Sequence, residues 1–323
     1  MARGGRGHGK RTKRSCGRNL LLAVNKPYGM VTRTLDNEVQ DALQDDGVGH
    51  IGTLDPSVTG VVVLCVGQAR KLISLIEEGK RKSYAATIAF GSQTTTDDAE
   101  GSVVRTAPVP SCVADADYAR GIVASFVGVQ EQVPPKYSAI KVNGVRAYDR
   151  ARAGEDFELP ARTIEVFDAR LVDVAACDQA SDAVSWRCEF DVSAGTYIRA
   201  LARDMGIAVG SAAHLAALCR TASGTVSLDD CATLEQIKEA GAQGISTFAL
   251  DPTKILGLPV RRLAPHELGL VQNGRFLSAD EEPEDALVSL VLDDRLYGVW
   301  QVRGGQLRPR TNCPLGVEGV RAC

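Results

Sequence analysis

Residues 46–66, DGVGHIGTLDPSVTGVVVLCV, decide how the rest of the chain is read. Asp46 to Gly60 is dense in Gly, Thr, Asp and Pro, the composition of a loop. Val61 to Val66 is a short apolar run that predicts a buried strand. Asp55 thus stands in a Gly-rich loop running directly into a strand, and Pro56 behind it restricts φ and removes a donor. A loop so placed can hold a carboxylate at the edge of a rigid sheet, where binding and catalytic groups concentrate. Taken alone, the same residues also fit an Asx turn at a strand entry, with His50 a structural histidine.

Working outward, Leu20–Val24 is apolar and strand-like and ends at the Lys26-Pro27-Tyr28-Gly29 turn. Val39–Leu43 fits a short helix. Leu72, Ile73, Leu75 and Ile76 have helical spacing, with Gly79 as a C-cap. Lys82–Phe90 (KSYAATIAF) alternates as a strand, and residues 91–101 form a polar loop. Helices are expected at Tyr118–Phe126, Ala147–Arg152, Tyr197–Val209 and Leu234–Glu239, and strands at Ile164–Val174 and Val184–Val192. Pro134-Pro135 holds 130–137 extended. Beyond a linker at Asp251-Pro252, short strands at Ala286–Leu292 and Leu296–Val302 predict a small, mostly-β module over 256–323. The fold class is α+β, with the main domain at 19–252.

Of the 323 residues, 44% are hydrophobic and 24% charged, a balance that excludes a disordered chain and leaves room for two domains. No apolar run reaches the roughly 18 residues that span a bilayer. The nine cysteines are odd in number and form no CxxC pair, and no signal peptide precedes them, which points to a reducing, cytoplasmic setting. The net charge of −3 hides an asymmetry: Arg3, Arg6, Lys10, Arg11, Lys13, Arg14 and Arg18 leave the other 305 residues at −10. The Gly-rich stretch 1–18 reads as a disordered basic arm, suited to phosphate or simply solubilising.

Two more segments carry candidate chemistry. In Gly195-Thr196-Tyr197-Ile198-Arg199, an arginine at a strand-to-helix junction could hold a carboxylate anionic and oriented, or could be a surface residue. Tyr84 could stack on a base or fill a core. No GxxxxGK[ST], no HExxH and no GxGxxG between strand and helix occurs, and no cysteine–histidine cluster suits a metal.

The run GHIGTLDPSVTGVVVLCVGQARKL closely resembles the signature of the TruB family of tRNA pseudouridine synthases. The resemblance extends through NKPYGMVT, KSYAATIAFGSQTTTDDAEG, QVPPKYSAIKVNGVRAYDRAR, GTYIRALARDMG and SAAHLAALCRTASG, in the family's order over roughly residues 20–225. Asn25 stands where the family usually has Asp. LPVRRLAPHELGLVQNGRFL, more weakly, resembles the start of a PUA-like RNA-binding module.

The resemblance implies a pseudouridine synthase fold, with a mixed central sheet flanked by helices. It implies Asp55 as the catalytic aspartate, Arg199 as its ion-pair partner and Tyr84 as the tyrosine stacked on the target uracil. It further implies substrate contacts from His50, Tyr197 and Leu218, and a lysine, Lys26, that helps hold the loop. The implied reaction is isomerisation of uridine 55 in the tRNA T loop, by base flipping, glycosidic cleavage and rejoining through C5, with neither cofactor nor metal. The partner is the tRNA T-arm, and the enzyme is a monomer that needs no protein partner and no membrane. Two alternatives stay open: a guide-RNA-dependent rRNA pseudouridine synthase of the dyskerin-like branch, which SVTG resembles, and a non-catalytic tRNA-folding chaperone. Phosphate contacts are expected from the arm, from Lys80-Arg81-Lys82 and from Arg146 to Arg152.

Overall fold

Val58–Val66 is buried along almost its whole length, so it lies inside a sheet rather than at its edge. The computed structural model describes residues 13–77, 80–138, 140–142, 144–176, 184–279 and 282–321. In it, Leu20–Lys26 pairs antiparallel along one side of this strand. The other side is shared. Val48–Ile51 runs antiparallel beside Val63–Val66, and Ala213–Ser223 runs parallel beside Val58–Gly60. The sheet then continues through Lys82–Phe90, Val184–Val192, Arg162–Ala176 and Gly128–Gln132. The expected loop at 46–60 is therefore shorter. Val48–Ile51 is a strand, the next strand begins at Val58, and only residues 52–57 remain as a connection.

That connection leaves the sheet where the Val58–Val66 edge changes partner. Gly60 makes the close approach possible: its φ is 107°, and a Cβ there would stand 2.2 Å from the Arg220 carbonyl oxygen. The strand Ala213–Ser223, not anticipated in the sequence, joins the two halves of the sheet. One half carries Ile88, Phe90, Trp186 and Phe190 against Ile198, Leu201 and Met205 of the helix Ile198–Ala208. The other packs Leu20, Leu22, Val62 and Leu64 under the helices Thr32–Leu43 and Leu234–Gly244. The 91–101 loop is built on a hairpin, Ser92–Thr94 with Val103–Thr106. Gly79 lies outside the described residues, and Gly67–Leu72 before the helix Ile73–Glu77 is a 3₁₀ turn.

The C-terminal module is a five-stranded sheet in the order Val260–Arg262, Leu287–Leu292, Arg295–Arg303, Gln306–Glu318, Leu277–Ser278. It is not on a free linker. Asp251 caps the helix Pro252–Leu256, and Ile255 and Leu256 enter a core that Val291, Leu296, Val299 and Cys313 share with Leu21, Val61, Val63 and Cys65. The Glu318 N–H donates to the Asn19 carbonyl at 2.7 Å. Residues 14–18, assigned to the disordered arm, are likewise tied down, with alternate residues facing solvent. Arg14 bonds Asp46 and Asp41, the Cys16 N–H donates to Asp45, and Arg18 faces Glu318. The rest of the arm, residues 1–12, lies outside the described residues. Among the described residues no helix is long and apolar enough to cross a membrane.

Candidate active site

Asp55 sits in the 52–57 connection with its side chain 45% exposed, so it is open to a ligand. Three contacts fix the backbone around it. The Thr32 hydroxyl donates to the Leu54 carbonyl (2.8 Å) and accepts from the Leu54 N–H (3.1 Å). The Gly29 N–H donates to the Pro56 carbonyl (2.9 Å). Lys26 is fully buried, and its ammonium donates to the carbonyls of Pro27, Met30 and Pro56. Burial pushes this ammonium down to about 8, against the opposing pull of Asp55. Lys26 therefore ties the Asp55 loop to the first strand from beneath and presents no surface to a substrate.

Arg199, in the first turn of Ile198–Ala208, places Nη2 2.9 Å from Asp55 Oδ2. Its own side chain is 9% exposed and is held by the Thr96 and Tyr137 carbonyls, each at 3.0 Å, with Asp98 at 3.6 Å. One turn on, Arg203 bonds Asp97 at 3.2 Å. The polar loop of the sequence is thus a built support: Asp98 accepts from the Thr96 hydroxyl and the Glu100 N–H, and the turn so formed grips both arginines.

Tyr84 lies on Lys82–Phe90 opposite Arg220 of Ala213–Ser223. Burial raises the phenol, and the neighbouring Arg220 guanidinium opposes the shift. Raised further above neutrality, Tyr84 stays a neutral phenol and is a poor proton acceptor. Leu218 stands on the same strand as Arg220, in register with Val58. Tyr197 precedes the helix, and the buried Gln132 amide accepts from its N–H (2.9 Å) and donates to its carbonyl (3.1 Å). Asp55, Tyr84, Tyr197, Arg199 and Leu218 line one cleft of about 220 Å³ with Thr53, Lys82 and Thr196. His50 stands behind it on Val48–Ile51, its Nε2 3.2 Å from the Thr53 hydroxyl.

Arg220, Gln132, Asp97 and Asp98 were not singled out from the sequence. Arg220 is fully buried, donates to the Val61 and Gly52 carbonyls, and so braces the start of the Asp55 connection against the strand that follows it. Its presence in SAAHLAALCR, two residues after Leu218, was the available signal. Of the basic run, Lys80 donates to the Ile255 carbonyl and Arg81 faces Asp191 and Phe167, while Lys82 lines the cleft. A larger groove of about 750 Å³ runs past Val133, Phe157 and Leu159, but Asp97, Glu155, Asp156 and Glu158 on its walls suit a polyanion badly, and Asp55 is not among them. Among the described residues no His/Cys/Asp/Glu group could hold a metal ion.

A family model for the N-terminal domain of TruB family pseudouridylate synthases matches residues 40–198. One for the tRNA pseudouridylate synthase B C-terminal domain matches 199–252. The chain is similar to tRNA pseudouridine synthase B of Mycobacteroides abscessus, with 40% identity over 88% of this chain and 93% of that one. It is also similar to that of Bacillus subtilis, with 42% identity over 82% and 85%. Among solved structures, it resembles one in a Cbf5-Nop10-Gar1 complex (TM-score 0.63, 20% identity, 95% of this chain and 84% of that one). Another is in an H/ACA RNP bound to a substrate RNA containing 2′-deoxyuridine (TM-score 0.62, 19% identity, 92% and 86%). At those identities the likeness shows a shared fold, the pseudouridine synthase fold with a PUA-like C-terminal module.

Proposed function

The chain belongs to the TruB family of pseudouridylate synthases, and on that premise we propose that it isomerises uridine 55 of the tRNA T loop to pseudouridine. The observation that supports this most directly is the 2.9 Å Asp55–Arg199 pair at the cleft that Tyr84, Tyr197 and Leu218 also line. The reaction breaks the bond from C1′ to N1, turns the uracil and joins C1′ to C5; C5 gives up its proton and N1 takes one up, so atoms and electrons balance with no added reagent. Asp55 supplies the carboxylate, either as nucleophile at C6 of the base or as a base at the sugar, through a glycal. Arg199 keeps it aligned, itself immobilised by two carbonyls.

A stacked uridine cannot reach Asp55, so it is flipped, at a cost of about a few kcal/mol. Stacking on Tyr84 and apolar contact with Leu218 offset that cost, and His50 enters the space left in the RNA. Lys82 in the cleft and the basic arm supply phosphate contacts. The protein acts alone, in the cytoplasm, on the T-arm.

The test is incubation with an unmodified tRNA transcript and with an isolated T-arm hairpin, followed by mapping of pseudouridine. Modification of the hairpin at the T-loop uridine supports the reading. Modification only in the presence of a guide RNA would favour the dyskerin-like alternative, and an Asp55→Asn variant that keeps full function in cells would favour the folding chaperone.

A further inference from the structure

The proposed roles leave one buried acid unexplained. Asp36, on the helix Thr32–Leu43, has a side chain only 1% exposed, and its Oδ2 lies 2.8 Å from His50 Nδ1. The other charged neighbour is Arg33 at 3.3 Å, whose side chain is 65% exposed. Among the described residues, Oδ1 has no hydrogen-bond partner. A carboxylate desolvated to that degree with half its acceptors unused is costly to keep, so its contact with His50 is the feature to explain.

An ionised carboxylate only accepts hydrogen bonds, so His50 Nδ1 carries the hydrogen. In the neutral ring Nε2 is then an acceptor, and the Thr53 hydroxyl at 3.2 Å donates to it. Thr53 is exposed and lines the Asp55 cleft. The series Asp36, His50, Thr53 thus runs from the core to the cleft wall with every hydrogen assigned a direction. Gly52, between His50 and Thr53, is held at φ 67° and its N–H donates to Glu77, so the turn carrying Thr53 is fixed as well.

We propose that Asp36 is a positioning residue for RNA engagement: it locks the His50 ring in one tautomer and one orientation and thereby holds the Thr53 side chain ready-made at the cleft wall. This rests on the RNA-modifying reading above. Pre-organisation lowers the ordering cost of association, so the effect falls on binding rather than on bond exchange.

The first measurement uses the free protein and no RNA. Nitrogen chemical shifts of the His50 ring are expected to report the Nδ1–H tautomer in the wild type and in Asp36→Asn, whose amide oxygen still accepts, and a shift toward Nε2–H in Asp36→Leu. An Nε2–H wild-type ring overturns the proposal. The second measurement is steady-state kinetics on the T-arm hairpin. Asp36→Leu is expected to raise KM about tenfold with kcat within about twofold, Asp36→Asn to restore KM, and Asp36→Leu to add nothing in a His50→Ala background. Additive effects in that background, or a loss confined to kcat, would overturn it. Should Asp36→Leu fail to fold, Asp36→Ser takes its place in both arms. If the wild type modifies no tRNA, the functional reading fails while the ring tautomer still decides the Asp36–His50 pairing.

Discussion

At the scale of single residues, the proposed reaction gives the cleft one reacting group, Asp55, and separate groups that aim it. Asp55 is exposed enough to meet a substrate, whereas Arg199 is buried and spends its donors on Asp55 and on fixed carbonyls. Asp55→Ala should therefore abolish turnover while RNA binding, measured by filter retention, stays within about tenfold. Arg199→Lys should lower kcat by about a hundredfold, because one ammonium cannot reproduce a planar fork shared among Asp55, Thr96 and Tyr137. Lys26 gives a pH signature. Its ammonium is pushed from 10.5 to about 8, so between those values the unfolded chain binds the proton more tightly than the native protein. Its contribution to stability thus rises with pH across that window. The unfolding free energy of the wild type, relative to Lys26→Met, should grow between pH 8 and pH 10; a difference that is flat or shrinks with pH would contradict the buried ammonium. Asp55, Tyr84 and Arg199 were legible in the sequence because each lies in a motif with a residue type suited to the chemistry. Arg220 was not, because nothing local says that a strand arginine will be swallowed by the turn it supports.

At the scale of elements, the site depends on where strands stop. The Asp55 connection is short because Val48–Ile51 stays paired with Val63–Val66 up to Ile51 and Ala213–Ser223 takes up the next strand from Val58, and Thr32 ties it to the first helix. Gly60→Ala should destabilise the protein by about 3 kcal/mol or more, since backbone at 2.2 Å must move to admit a methyl group. Chemical denaturation would measure it, and a loss under about 1 kcal/mol would mean that the Val58–Gly60 pairing is looser than described. Strands with clean alternation, such as Lys82–Phe90 and Val184–Val192, were read correctly to the residue. Ala213–Ser223 was missed because it is rich in alanine and its pairing with Lys82–Phe90 slips twice, between Leu215 and Ala217 and between Arg220 and Ala222. Such bulges erase the period-two signal on which strand reading depends.

At the scale of the whole molecule, the C-terminal module and the main domain share one core, so they should unfold together. A chain cut after residue 256 would expose Leu21, Val61, Val63 and Cys65, which Val291, Leu296 and Cys313 now cover. It is expected to be insoluble or to lose its cooperative transition in calorimetry, and a stable, active fragment would show the module to be detachable. A separate contribution is expected of the arm. With Arg14 and Arg18 already paired to acids, deleting residues 1–12 removes Arg3, Arg6, Lys10 and Arg11, and should reduce the salt slope of RNA binding by about 3. By itself the sequence determined the α+β class, most strands and helices, the family resemblance and the candidate carboxylate, because periodicity and motif spacing are local properties of a chain. Only the tertiary structure decided that Lys26 and Arg220 are buried braces and that Asp36 faces His50, whereas the family resemblance already implied the Asp55–Arg199 pair that the structure places at 2.9 Å. Those contacts join residues tens to hundreds of positions apart, and it is the packing of the sheet, not any local preference, that brings them within hydrogen-bond distance.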